Sequence, residues 1–264
     1  KRLVRHQLDQ GVRGFVVNGT TGESPTLTLA EVKTLFDCLR AEAGGDARVI
    51  VGTGLNSTQK TIAFSQEVSR WRPDALLVVV PYYNKPPQRG LAAHFQSVAK
   101  NVGRPVILYN VPSRTVANLQ AQTVVELSQQ SGIVGIKEAS GDMNVLEALR
   151  QDLRPEFRLL SGDDASCVDF VARGGHGVIS VSSHIIAAEM IQALVRPSEA
   201  RESYAKTYEE LMRLLYIEAN PIPVKSALHW MGLIDSPELR LPLVELDSKF
   251  HKDFKSCLKN LGKL

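Results

Sequence analysis

Cysteine is scarce and poorly placed for cross-linking. Cys38, Cys167 and Cys257 are an odd number, lie far apart and form no Cys-x-x-Cys pair. This excludes a disulfide scaffold or a thiolate metal cluster and points to free thiols in a reducing compartment. Long apolar runs are missing too: none approaches a membrane span, and the opening "KRLVRHQLDQ" has charge but no apolar signal stretch. A cytoplasmic location is expected. Neither sign of charge dominates, since 31 basic and 28 acidic residues are interspersed and leave a net +3. No basic stripe invites nucleic acid or an anionic membrane. The six histidines form no HExxH and no Cys/His cluster, no serine sits in GxSxG, and neither GxGxxG nor GxxxxGK[ST] occurs. Zinc proteases, serine hydrolases, P-loop proteins and dinucleotide-binding folds therefore lack their signatures. Asn18-Gly-Thr20 and Asn56-Ser-Thr58 match glycosylation acceptors, but without a secretion signal they read as two polar loops.

What is present is an ordinary globular composition, 44% hydrophobic and 22% charged over 264 residues, with no low-complexity tract. Seven short apolar, β-branched runs recur: "RGFVVNG", "RVIVGTG", "ALLVVVP", "PVILYNV", "GIVGIKE", "FRLLSG" and "GVISVS". Amphipathic stretches separate them. In "GLAAHFQSVAKNVG" the residues Leu91, Phe95, Val98 and Val102 share one helical face. "TLAEVKTLFDCLRAEAGG" opens with Thr28 and Glu31 in capping-box spacing and stops on Gly44-Gly45.

Repeated strand-helix units with wholly apolar strands predict a parallel sheet covered by helices. Of the two such architectures, the doubly wound sheet lacks its glycine fingerprint, so a TIM (β/α)8 barrel is expected over 1–196. A barrel builds its site at the carboxyl ends of many strands. The unusual residues gather there: Thr20, Thr21, Tyr82, Tyr83, Tyr109, Lys137 and Ser161 to Asp164. Seven strands are one short of eight, and the chain opens on Lys1 rather than Met, as a shortened chain would. Residues 197–264 read as appended helices on the outside, with solvated charged faces and a subunit contact as their expected roles.

Lys137 is the anomaly, a lysine near the end of an apolar strand. Desolvation lowers the pKa of a buried amine, and a free amine attacks a ketone to form a Schiff base. The alternative is a strand-end lysine reaching solvent or pairing with Glu138. The loop "NGTTGES" has the glycines and hydroxyls of an anion nest, or of a plain polar turn. Tyr109 can relay protons or simply close the core rim. Arg114 offers a fork for a carboxylate or a surface ion pair. For Tyr82 and Tyr83, packing is the default role. Asp163 and Asp164 read as acids opening a helix, and His176 as a turn residue.

Taken together, "GTTGES", "PYYN", "YNVPSRT", "GIKEASG", "LLSGDDAS" and "GGHGVISV" resemble the dihydrodipicolinate synthases, lysine-pathway enzymes of the pyruvate-dependent N-acetylneuraminate lyase superfamily. The resemblance runs from near Arg5 to the end. It implies a TIM barrel with C-terminal helices that condenses pyruvate with aspartate 4-semialdehyde, without metal or organic cofactor, as a homo-oligomer, dimer or tetramer. By the same resemblance Lys137 forms the pyruvate Schiff base, and Thr20 with Thr21 holds the pyruvate carboxylate. Thr20, Tyr109 and Tyr83 form a proton relay, with Tyr83 reaching into a neighbouring subunit. Arg114 binds the semialdehyde carboxylate, while Gly162 and Ile179 offer backbone contacts.

Related sugar-acid aldolases and N-acetylneuraminate lyases would share the lysine, the tyrosine and the carboxylate loop; Arg114 suits a small acidic acceptor instead. A barrel kept as a noncatalytic subunit would be expected to have lost these polar groups. Two departures from the family stand out. The family has a further strand ahead of the region where this chain begins, and a barrel without it should be poorly stable or inactive. Where lysine-inhibited members carry an acidic residue for the inhibitor's ammonium, this chain has Lys60, and Pro25, Leu29 and Val32 replace polar or smaller residues. Weak lysine inhibition, or none, is expected.

Overall fold

The computed structural model describes residues 1–264, which pack as two compact units, 1–47 with 180–264 and 48–179. In the first unit lie helix α1 (Arg2–Asp9), strand β1 (Gly14–Val17), two 3-10 turns (Thr20–Gly22 and Ser24–Thr26) and helix α2 (Leu29–Ala43). The second unit runs β2 (Arg48–Gly52), α3 (Thr58–Ser69), β3 (Ala75–Val79), α4 (Gln88–Val102), β4 (Val106–Asn110) and the single turn α5 (Pro112–Thr115). It continues with α6 (Ala121–Ser128), β5 (Ile133–Glu138), α7 (Met143–Arg150), β6 (Arg158–Ser161), α8 (Cys167–Ala172) and β7 (Gly177–Val178). The chain then completes the first unit with α9 (Ser183–Val195), α10 (Pro197–Leu215), α11 (Ile222–Trp230), a 3-10 turn (Ser248–Phe250) and α12 (His251–Asn260). All seven expected strands are present.

Within the second unit, β2 to β7 pair in sequence order and every pair is parallel. A doubly wound sheet reverses its strand order at a switch point. Six consecutive strands pass without a reversal here, which excludes that alternative for this unit. The apolar strands are covered as parallel strands must be: all five residues of β4 are buried, as are four of the five in β3.

The helices form where the apolar spacing puts them. Leu91, Phe95, Val98 and Val102 of α4 are at most 3% exposed, and each such side chain contributes roughly 1.5–3 kcal/mol of burial. Helix α2 has the full capping box: the Thr28 hydroxyl accepts from the Glu31 amide, and the Glu31 carboxylate accepts from the Thr28 amide. It stops at Gly44, whose φ of +69° suits glycine. No helix is long and apolar enough to cross a membrane.

Candidate active site

The second unit brings together most of the residues singled out above. Strands β4 and β5 pair Tyr109 with Lys137 and Asn110 with Glu138. Side chains alternate along a strand, so Tyr109 and Lys137 share one face and Asn110 and Glu138 the other. On the first face, Lys137 Nζ lies 4.4 Å from the centre of the Tyr109 ring. Burial lowers its pKa to about 8; the Asp164 carboxylate opposes that shift and the Arg114 guanidinium adds to it. At pH 7 about one-tenth of such a lysine is free amine, against roughly 3 in 10,000 for an ordinary one. Lys137 stays partly accessible, as a nucleophile that must meet a substrate has to be.

Gly162, just past β6, makes room for this lysine. A Cβ there would stand 2.7 Å from Lys137 Cε and 2.6 Å from the Ala139 methyl. Its amide donates to the Glu138 carbonyl at 2.6 Å, so the backbone is held against the lysine's strand. Ile179 follows β7, and its amide donates to the Ser161 carbonyl at 2.9 Å.

On the opposite face, Glu138 is 4% exposed and Asn110 is fully buried. Asn110 Nδ2 donates to Glu138 Oε2 at 2.9 Å, and Glu138 Oε1 accepts from the Ser140 amide at 2.7 Å. Glu138 is therefore engaged away from Lys137, and the lysine-glutamate pair considered from the sequence does not form. Asn110 also donates to Asn118 Oδ1 and accepts from the Leu119 amide, both at 2.9 Å, which closes the loop 110–119 on itself. Inside it the Thr115 hydroxyl donates to the carbonyls of Val111 and Ala117. Arg114 stands exposed on this braced turn. A hydrogen bond to a charged group is worth about 1.5–3 kcal/mol, enough to hold a short loop in one shape.

The two tyrosines after β3 behave differently from the packing expected of them. Tyr82 is 37% and Tyr83 85% exposed. Tyr83 has a left-handed backbone, φ +76°, and its amide donates to the Thr115 carbonyl of the Arg114 loop at 3.4 Å. The two acids after Ser161 also divide. Asp163 Oδ2 accepts from the Ser166 amide and hydroxyl, a turn bond ahead of α8 in place of the helix cap expected of it. Asp164 is 1% exposed, and its charge acts on Lys137; helix capping does not describe it. His176 forms part of the sheet edge: its amide donates to the Leu159 carbonyl and its Nδ1 accepts from the Leu159 amide.

Thr20 and Thr21 belong to the first unit, in the 3-10 turn after β1. The sequence suggests a nest of inward amides here. Of its amides, those of Gly22 and Ser24 close on the Gly19 carbonyl, and that of Glu23 on the Thr20 carbonyl. The two threonine hydroxyls stand in the same turn. Thr21 Oγ1 accepts from Asn220 Nδ2 at 2.9 Å. Asn220 and Asn110 escape sequence reading, and Glu138 and Asp164 are noticed there in other roles: each matters through a partner set by strand register or distant packing. Nowhere do three or more His, Cys, Asp or Glu side chains gather as a metal cage.

Comparison with known proteins gives one answer along the chain. Residues 1–261 match the family model described as the dihydrodipicolinate synthetase family. The 4-hydroxy-tetrahydrodipicolinate synthase of Bdellovibrio bacteriovorus is 50% identical over 268 aligned positions, covering 100% of this chain and 91% of that one. The crystal structure of dihydrodipicolinate synthase from Thermotoga maritima superposes with a TM-score of 0.96 at 37% identity, over 100% of this chain and 92% of that one. A monomeric dihydrodipicolinate synthase variant gives 0.95 at 36% identity, over 100% and 90%. An amine with a lowered pKa at the end of a parallel strand, the register of its neighbours and these matches agree: the chain belongs to the dihydrodipicolinate synthetase family.

Proposed function

We propose that this chain is a Schiff-base lyase that condenses pyruvate with aspartate 4-semialdehyde to give 4-hydroxy-tetrahydrodipicolinate, on the way to diaminopimelate and lysine. The observation that carries the reading is the placement of Lys137 Nζ, its pKa lowered to about 8, over the Tyr109 ring. The free amine attacks the keto carbon of pyruvate, and the carbinolamine loses water to give the imine. Loss of a methyl proton gives an enamine, whose carbon adds to the aldehyde. The semialdehyde's own amine then attacks the imine carbon, closes the ring and releases Lys137.

Thr20, Tyr109 and Tyr83 carry protons between these steps, and Thr21 with Thr20 holds the pyruvate carboxylate. Arg114 takes the semialdehyde carboxylate, a role its braced turn supports. Gly162 contributes by leaving space for the lysine stem. Ile179, whose amide is already bonded to Ser161, offers its carbonyl. The exposure of Tyr83 supports a role across a subunit contact in a homodimer or homotetramer. The same reading takes 1–196 as a TIM barrel and 197–264 as its helical extension, places the enzyme in the cytoplasm and requires neither metal nor organic cofactor.

The test is product formation from pyruvate and aspartate 4-semialdehyde by the purified chain, with N-acetylneuraminate and 2-keto-3-deoxy sugar acids offered in parallel. Condensation of the first pair alone is expected. Cleavage of a sugar acid in its place would assign the chain to another branch of the superfamily, and no turnover of any substrate would favour a noncatalytic barrel.

A further inference from the structure

Residues near the C-terminus grip the threonine turn of the first unit at several points. Asn220, 6% exposed, donates to the Thr21 hydroxyl from 199 positions away. Lys225 Nζ donates to Glu23 Oε1 at 2.7 Å, with side chains only 24% and 12% exposed. The Arg240 amide donates to Glu23 Oε2 at 2.8 Å. The Arg240 guanidinium spans the Thr26 carbonyl, at 2.9 Å, and both carboxylate oxygens of Glu31, the capping-box residue of α2. Lys225 is itself seated by the Glu238 carbonyl. The charged faces of α10 and α12 are solvated as expected, and Lys225 on α11 is the exception.

Two features make the grip more than general packing. Glu23 joins the two 3-10 turns with a left-handed backbone, φ +57° and ψ +35°, a conformation that a Cβ disfavours. Something must hold it, and both of its carboxylate oxygens are bonded to the C-terminal segment. Burial alone would push the Glu23 carboxyl up; the bonds from Lys225 and Arg240 outweigh it and hold the pKa below the ordinary value. The second feature is the sense of the Thr21 bond. A hydroxyl that accepts from an amide N–H must turn its own hydrogen elsewhere, toward an acceptor such as a carboxylate.

We propose that Asn220, Lys225 and Arg240 are positioning residues for pyruvate: they set the shape of the turn and aim the Thr21 hydroxyl at the substrate carboxylate. This rests on the reading of Thr20 and Thr21 as the carboxylate holders. The C-terminal segment thereby serves the chemistry through the first substrate, independently of any role in assembly.

The experiment measures KM for each substrate, kcat, and the pyruvate concentration giving half-maximal borohydride trapping, in Asn220→Ala, Asn220→Asp, Lys225→Met and Lys225→Arg. The alanine and methionine variants are expected to raise both pyruvate constants about tenfold, which is about 1.4 kcal/mol, with the semialdehyde KM within twofold. Asn220→Asp is close to isosteric but accepts where the amide donated, so the hydroxyl reverses. It is expected to weaken pyruvate more than alanine does, and it decides the matter if the alanine variant does not fold. Lys225→Arg should restore most of the affinity. Equal losses for both substrates, or pyruvate constants unchanged in the folded variants, overturn the proposal. Thr21→Val separates the two levels: unchanged pyruvate affinity there contradicts the carboxylate reading itself, whereas weakened affinity in Thr21→Val alone contradicts only the positioning role.

Discussion

The ammonium nitrogen of Lys137 stands 4.4 Å from the centre of the Tyr109 ring, on adjacent strands that pair these two residues in register. The electron-rich face attracts a cation, while the apolar surroundings discourage one. The balance leaves the lysine at about 8, near enough to neutrality for both forms to be populated. A Schiff-base enzyme needs both, since the amine attacks and protons must be delivered and removed around it.

Imine formation should therefore rise with pH and level off above about 8, the folded pKa of Lys137. Asp164 favours the ammonium, so Asp164→Asn lowers the lysine pKa further and moves the acid limb to lower pH. Arg114 disfavours it, so Arg114→Gln moves the limb upward. Borohydride trapping with pyruvate alone, followed across pH 5.5 to 9.5, checks the opposite signs without involving the second substrate. In turnover Arg114→Gln should also lose about tenfold or more in kcat/KM for the semialdehyde, the usual worth of a hydrogen bond to a charged group.

Gly162→Ala should disable the site while leaving the fold. The added methyl would meet Lys137 Cε at 2.7 Å, and displacing a reacting group by about 1 Å costs on the order of a hundredfold in rate. Gly45→Ala, where a Cβ meets nothing within 4 Å, should keep full activity. Steady-state kinetics with thermal melts of both variants make the comparison.

His94 on α4 predicts a particular weakness to acid. It is 4% exposed, its Nδ1 lies 2.9 Å from the Thr58 hydroxyl and its Nε2 has no partner. Burial lowers its pKa to about 4 from 6.5. The unfolded chain therefore binds this proton at a higher pH than the folded one. The stability at stake is fully present above pH 6.5 and is lost as pH falls toward 4, by up to about 3 kcal/mol. Urea unfolding at pH 7 and pH 5 should show a smaller difference for His94→Gln, which keeps a hydrogen-bonding group beside Thr58 without titrating.

L-lysine at micromolar concentration should leave the rate unchanged. Lys60, exposed on α3, stands where the family resemblance calls for an acid to hold the inhibitor's ammonium. A titration of initial rate against lysine checks this, and strong inhibition in that range would contradict it.

Much of this was legible in the sequence because it is written locally. The seven strands are short β-branched runs bounded by glycine and proline, the α2 cap is a Thr-x-x-Glu spacing, and Lys137 stands out as a charge in an apolar strand. What was illegible depends on pairs. Glu138 could not be separated from a Lys137 partner until the register set it opposite Asn110. The same holds for Asp163 and Asp164, neighbours in sequence of which one turns into a loop and the other is buried near the lysine. The bond of Asn220 to Thr21 spans most of the chain and leaves no periodic trace.

The central claim is that Lys137 is the nucleophile. Borohydride reduction in the presence of pyruvate, followed by peptide mass mapping, is its most direct measurement. A single adduct on Lys137, absent from Lys137→Ala along with turnover, is the expected result. An adduct on another lysine, or a Lys137→Ala variant that still turns over at the original rate, would contradict it.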